Sequence, residues 1–268
     1  MKWFILAGFL LPVGATELKV PLIPGSFEAR VNVRINGQTV NFLVDTGASR
    51  SAITVTTLKK LGLDDLPPEY SRVRVADGRT VTTQVVRLQN LELGAFTIPF
   101  VAATVAAENL LGVDVLGRYR FILDAGANQL TFQDPASGPL SEREQTSFPY
   151  NPRRQSIPVQ VTVNGTPVNL LLDTGATQTT LSQRIVSALA LPVVGTGRNT
   201  VADGRTVDAQ IVRVATLAFG DLAVNNLAVS VITGAIGEQG RDGLLGYNFL
   251  RHFKVILDPA TGRGYLQR

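Results

Sequence analysis

From Phe27 onward the chain alternates, with Val31, Val33 and Ile35 on one side of an extended segment and Asn32 and Arg34 on the other. That is the period-two pattern of a half-buried strand. Asn36-Gly37 supplies a tight hairpin turn of the primed type. Gln38 to Val44 then returns as a second strand whose apolar end runs straight into Asp45. The second half repeats the design in the same register: Val159, Val161 and Val163, the turn Asn164-Gly165, and a return strand from Thr166 to Leu172 that ends on Asp173.

Each aspartate is followed by a polar stretch and a short helix. Leu58-Lys-Lys-Leu-Gly62 has apolar residues three apart and a glycine stop, while Ser182 caps a stretch carrying Ile185 and Leu189 before Pro192. Val75-Ala-Asp-Gly-Arg-Thr-Val81 recurs unchanged as Val201 to Val207. Asp-Gly between β-branched flanks predicts a hairpin in each half, with tips at Asp77-Gly78 and Asp203-Gly204. Leu110-Leu-Gly-Val-Asp-Val-Leu116 matches Leu244-Leu-Gly-Tyr-Asn-Phe-Leu250, and each half closes with a strand, Phe121 to Asp124 and Val255 to Asp258. Asp124 and Asp258 precede turn-forming residues and read as turn caps. The stretch 134–154 has the prolines, serines and charges of a linker. The pattern therefore predicts an all-β chain with short helices, in two lobes over residues 16–133 and 155–268, paired about a pseudo-twofold axis.

An aspartate at the end of a buried strand is costly to desolvate and needs a partner. If the halves face each other, Asp45 and Asp173 are that partner for one another. Two close carboxylates cannot both ionise easily, so the pair holds one proton and offers a general base beside a general acid. That arrangement suits the addition of water to a peptide carbonyl.

Composition narrows the remaining choices. Hydrophobic residues at 45% against 17% charged describe a chain able to fill two cores. The net charge of +4 comes from scattered Lys and Arg, which reads as ordinary solvated surface rather than a nucleic-acid footprint, and no run of basic residues with interleaved aromatics occurs. There is no cysteine, hence no disulfide, thiol nucleophile or Cys-ligated metal. The single histidine, His252, stands where the first half has Arg118, so it reads as a helix-surface residue. Met1-Lys2, the apolar run Trp3 to Leu11 and small residues ending at Ala15 read as a secretory signal over 1–15. The run is too short to span a bilayer comfortably. The expectation is a mature chain starting near Thr16, without a stable membrane span, in a periplasm or secreted.

Asp-Thr-Gly-Ala after an apolar run in both halves, with Leu-Leu-Gly before a short helix further on, resembles the retropepsin-like aspartic peptidases over most of both lobes. The resemblance implies that Asp45 and Asp173 form the catalytic dyad of an aspartic endopeptidase. It also implies that Thr46 and Thr174 lock the two loops together, and that Gly47 and Gly175 let backbone N–H groups approach the carboxylates. The repeated hairpins correspond to flaps, with Asp77, Gly78, Asp203 and Gly204 at the substrate; a hairpin copied along with its lobe is the other reading. The Leu-Leu-Gly strand would thread past the catalytic loop. The partner implied is a peptide or protein in extended conformation, with no metal, no organic cofactor and no nucleic acid. The linker lets the lobes pair within one chain, as a monomer, although pairing between chains stays open. A non-catalytic extended-peptide-binding module of the cell envelope is the alternative function, and an assembly protein using exposed strand edges is a third. Ala48 and Ala176 stand where pepsin-like enzymes commonly place a hydroxyl, so the dyad is expected to titrate higher and to favour a mildly acidic optimum.

Overall fold

A computed structural model describes residues 17–65, 67–74, 80–134, 145–154, 156–200, 204–232 and 241–268. The expected signal segment, residues 135–144 of the linker and the tip residues Asp77, Gly78 and Asp203 lie outside the described residues. The first half runs β1 (Glu17–Pro21), β2 (Arg30–Ile35), β3 (Gln38–Val44), β4 (Ala52–Ile53), α1 (Val55–Lys60), β5 (Glu69–Arg74), β6 (Thr80–Leu93), β7 (Phe96–Val105), β8 (Leu110–Leu111), α2 (Val113–Leu116), β9 (Arg120–Asp124) and β10 (Gln129–Gln133). The second half repeats it: β11 (Gln145–Pro149), β12 (Pro158–Val163), β13 (Thr166–Leu172), β14 (Thr180–Ser182), α3 (Gln183–Ala188), β15 (Val193–Thr200), β16 (Thr206–Phe219), β17 (Leu222–Ile232), β18 (Gly243–Leu245), α4 (Tyr247–Leu250), β19 (Lys254–Asp258) and β20 (Arg263–Gln267). Strands dominate and the helices are one or two turns long.

The alternation seen in the sequence is the burial pattern of the first hairpins. Val31, Val33 and Ile35 are fully buried while Asn32 and Arg34 face solvent. At the turn, Asn36 and Gly37 have φ of 49° and 77°, and Asn164 and Gly165 have 50° and 84°. Positive φ at both central residues is the primed turn whose twist matches the flanking strands. The helices begin where the sequence places their caps: the Thr54 side chain accepts the Thr57 N–H, and the Ser182 side chain accepts the Ile185 N–H.

Each lobe builds a seven-stranded sheet of the same topology, β2-β3-β8-β4-β7-β6-β5 and β12-β13-β18-β14-β17-β16-β15. In both, a short strand (β8 or β18) runs parallel to the strand that ends on the aspartate and slots between it and β4 or β14. A third sheet joins the lobes, in the order β1-β10-β9-β19-β20-β11. Its centre is the antiparallel pair β9 and β19, where Ile122 stands opposite Ile256. These are equivalent positions of the two halves, so the pseudo-twofold axis passes between them.

Two features of this joint sheet were not visible in the sequence. The stretch read as linker contains β11, which pairs with β20 and buries Phe148 against Phe219, ring centres 5.8 Å apart. Its neighbouring prolines and serines mask a strand whose partner lies over a hundred residues away. Asp124 and Asp258 do cap turns, accepting the N–H of Ala127 and Ala260. They also cross the joint: Asp258 takes Arg120 at 2.8 Å and Asp124 takes Lys254 at 3.3 Å.

Candidate active site

The two Asp-Thr-Gly loops meet at the lobe boundary. β3 and β13 deliver Asp45 and Asp173, and the neighbouring short strands support them, since Asp45 N–H donates to Leu111 O and Asp173 N–H to Leu245 O, each at 3.0 Å. The supporting strand passes so close that its glycine has no room for a side chain. A Cβ on Gly112 would sit 2.6 Å from the carbonyl carbon of Arg50, and one on Gly246 would collide with that of Gln178. This is the physical content of the repeated Leu-Leu-Gly.

Between the lobes the threonines interlock. Thr46 N–H donates to Thr174 Oγ1 and Thr174 N–H to Thr46 Oγ1, both at 3.0 Å. Each hydroxyl then donates onward to a carbonyl of the opposite lobe, Thr174 to Val44 at 2.7 Å and Thr46 to Leu172 at 3.3 Å. Both threonines are about 1% exposed, so these groups have no solvent to fall back on. Replacing Thr46 by valine keeps the shape but strands a buried amide and a buried carbonyl. We expect a loss of about 1–3 kcal/mol in unfolding free energy, read from urea denaturation, with a matching loss for Thr174→Val.

The carboxyl groups face one another. Asp45 Oδ1 accepts the N–H of Gly47 at 2.8 Å and of Ala48 at 2.9 Å, and Asp173 Oδ1 accepts those of Gly175 at 2.9 Å and Ala176 at 3.1 Å. A Cβ on Gly47 would lie 2.6 Å from the carboxyl carbon of Asp173, and one on Gly175 would overlap that of Asp45. Glycine is needed because each loop rests on the other lobe's acid. Burial pushes the Asp45 carboxyl well above the usual range, and the charge of Asp173 pushes it further; burial raises Asp173 as well, against the backbone N–H groups that favour its charged form.

A layer behind the loops differs between lobes. Asp114 Oδ1 accepts both the N–H and the hydroxyl of Ser51 at 2.8 Å, and Ser51 Oγ accepts Gly112 N–H. In the second lobe Asn248 holds Thr179 in the same way, and Thr179 Oγ1 accepts Gly246 N–H. Asp114 and Asn248 both stand two residues after the Leu-Leu-Gly glycine, and that shared position is the one signal in the sequence for their role. At the loop's end Thr177 donates to Glu28, which also takes Arg30 at 2.8 Å.

Of the four expected tip residues, Gly204 alone is described. Its φ is +83°, and it packs beside Ala107 of the first lobe, where an added Cβ would stand 2.8 Å away. The second-lobe hairpin therefore reaches across the lobe boundary. His252 is exposed beyond α4, its ring 6.4 Å from that of Phe253.

Two duplicated β lobes that interlock through paired Asp-Thr-Gly loops define the aspartic peptidase class of fold. Comparison with known proteins agrees lobe by lobe. Residues 31–118 match the family described as gag-polyprotein putative aspartyl protease, and residues 159–249 match the family described as Aspartyl protease. The crystal structure of an aspartic proteinase from Irpex lacteus superposes with a TM-score of 0.56 at 16% identity, covering 94% of this chain and 97% of that one. An uncharacterised protein from the cobV 5′ region of Sinorhizobium sp is 36% identical over 97 residues, which span 36% of this chain and 40% of that relative. The chain belongs to the retropepsin-like aspartic peptidase family, in a two-lobed single-chain form.

Proposed function

We propose that the protein is an aspartic endopeptidase that cleaves extended peptides with a water activated between Asp45 and Asp173. The observation that carries this reading is the mutual approach of the two carboxyls, each backed by the other lobe's glycine and both raised above the usual aspartate range. One proton is shared by the pair. One carboxyl is thus the acid and the other the base; in the microstate with the proton on Asp45, Asp173 is the base.

Water held between them attacks the scissile carbonyl carbon and gives a proton to Asp173, while the Asp45 proton moves to the carbonyl oxygen. The result is a tetrahedral diol with no covalent bond to the enzyme. Its collapse breaks the C–N bond: the leaving nitrogen takes a proton from Asp173, and a hydroxyl of the diol returns one to Asp45. Both carboxyls end in their starting state. The substrate lies along the lobe boundary with its backbone beside the hairpin arms β5/β6 and β15/β16, as an added strand. An exported location, in a periplasm or outside the cell, fits the apolar run and small residues over 1–15.

Apart from the hydrogen bond between the two carboxyls, backbone amides stabilise the charged forms, because Ala48 and Ala176 bring no hydroxyl. The optimum is therefore mildly acidic. Ala48→Ser adds a donor to the charged form, which lowers the acid limb of the kcat/KM profile by about one pH unit. A profile already peaking below about pH 3 in the unmodified chain contradicts this. Digestion of a diverse peptide library across pH, followed by mass spectrometry, tests the proposed activity itself.

A further inference from the structure

The two halves are close copies, so a place where the copy fails near the paired acids is informative. Position five beyond each aspartate is Arg50 in the first lobe and Gln178 in the second. The two are structurally equivalent, since each packs its carbonyl on the glycine of the supporting strand. In the second lobe this side chain is engaged: Ser230 Oγ lies 3.3 Å from Gln178 Oε1 and 3.1 Å from Asn199 Oδ1. Ser230 is on β17 and Asn199 on β15, the outer arm of the hairpin. A side chain at this position thus lies where the catalytic loop, the sheet and the hairpin arm converge, beside the path of a strand bound under the hairpin.

The first lobe has the same backbone frame and different chemistry. Thr104 replaces Ser230, because each donates its N–H to the residue after the variable position, Ser51 or Thr179, at 3.0 Å. Strand register places Val73 where Asn199 stands. Arg50 is exposed and makes no hydrogen bond or ion pair with any described residue. Asp114 is taken by Ser51, the residue next to Arg50, while Glu28 takes Arg30 and Thr177 and Glu108 takes Arg30. An exposed guanidinium with no partner among the described residues thus stands five positions beyond Asp45, with an uncharged amide as its counterpart across the pseudo-twofold.

We propose that Arg50 is a specificity-determining residue that pairs with an acidic side chain of the bound peptide on the first-lobe side of the scissile bond. The inference rests on the endopeptidase reading. A planar guanidinium takes a carboxylate through two parallel hydrogen bonds, which an amide of the same shape does not reproduce. Gln178 gives the second-lobe side no such preference, so the demand for an acid is one-sided.

The test uses paired peptides that carry glutamate or glutamine at each position in turn, digested at about pH 5.5, where glutamate is ionised. The readout is the ratio of kcat/KM for each pair. For the unmodified chain we expect glutamate to be favoured by about tenfold to a hundredfold at one position. Arg50→Gln, which installs the residue the second lobe already carries, brings that ratio to within about twofold, and Arg50→Glu turns the preference toward lysine. A ratio near one at every position, or a preference that survives Arg50→Gln, overturns the assignment. Failure to cleave any peptide overturns the endopeptidase reading instead. The same pairs are then scored by fluorescence anisotropy as binding to the chain, where discrimination must still vanish in Arg50→Gln for the assignment to stand.

Discussion

Asp45→Asn is expected to lower turnover by at least about a thousandfold and, at neutral pH, to raise thermal stability. Both effects have one origin. Burial and the charge of Asp173 hold the folded-state pKa of Asp45 well above the ordinary value of 3.8. The folded chain therefore keeps a proton that the unfolded chain releases as pH climbs past 3.8. Stability contributed by this group is fully present below that value and is lost as pH rises through the folded pKa. Asparagine never ionises and escapes the loss. Melting curves of the two proteins should coincide near pH 3 and separate toward pH 7, with the inactive variant the more stable. Asp173→Asn, whose pKa is raised in the same direction, should behave alike. A variant that keeps its turnover, or is the less stable at neutral pH, contradicts the shared-proton account.

The second large effect is expected far from the chemistry, at the joint between lobes. Arg120 and Asp258 are 4% and 1% exposed in their side chains, and they meet through Nη2 at 2.8 Å and Nε at 3.0 Å. Their pseudo-symmetric counterparts, Lys254 and Asp124, are 42% and 20% exposed. Arg120→Ala leaves a buried carboxylate without its counter-charge and should cost about 3–5 kcal/mol. Lys254→Ala breaks an exposed pair and should cost no more than about 1 kcal/mol. Replacing both buried partners together, as Arg120→Met with Asp258→Leu, should restore much of the loss, because two apolar groups need no compensation. Urea denaturation of the variants separates these cases, and equal costs for the two single substitutions would count against the burial argument.

What the sequence made legible follows the reach of each interaction. The hairpins, their Asn-Gly turns, the helix caps and the Leu-Leu-Gly strand are local: each is set by residues a few positions apart. Duplication extended that reach, because the recurrence of Asn-apolar-Asp-Thr-Gly made Asp45 and Asp173 partners before any distance was known. The joint sheet had no such signal. β11 is hidden among turn-forming residues and is organised by β20, while Arg120 reads as an ordinary surface cation until Asp258 is placed opposite it. The supporting layer was overlooked for a different reason. Asp114 and Asn248 differ in type, so the duplication carries no signal of identity at this position although both side chains make the same contacts. Arg50 and Gln178 escaped in the same way.

The central claim is that two carboxyls from opposite lobes hold one proton between them. Carboxyl carbon-13 NMR of protein labelled at aspartate, titrated from pH 2 to 8 beside Asp45→Asn and Asp173→Asn for assignment, reads this directly. The account predicts two well-separated steps for the pair, with one proton retained well above the ordinary aspartate range. Two independent titrations, both centred near 3.8, would contradict it.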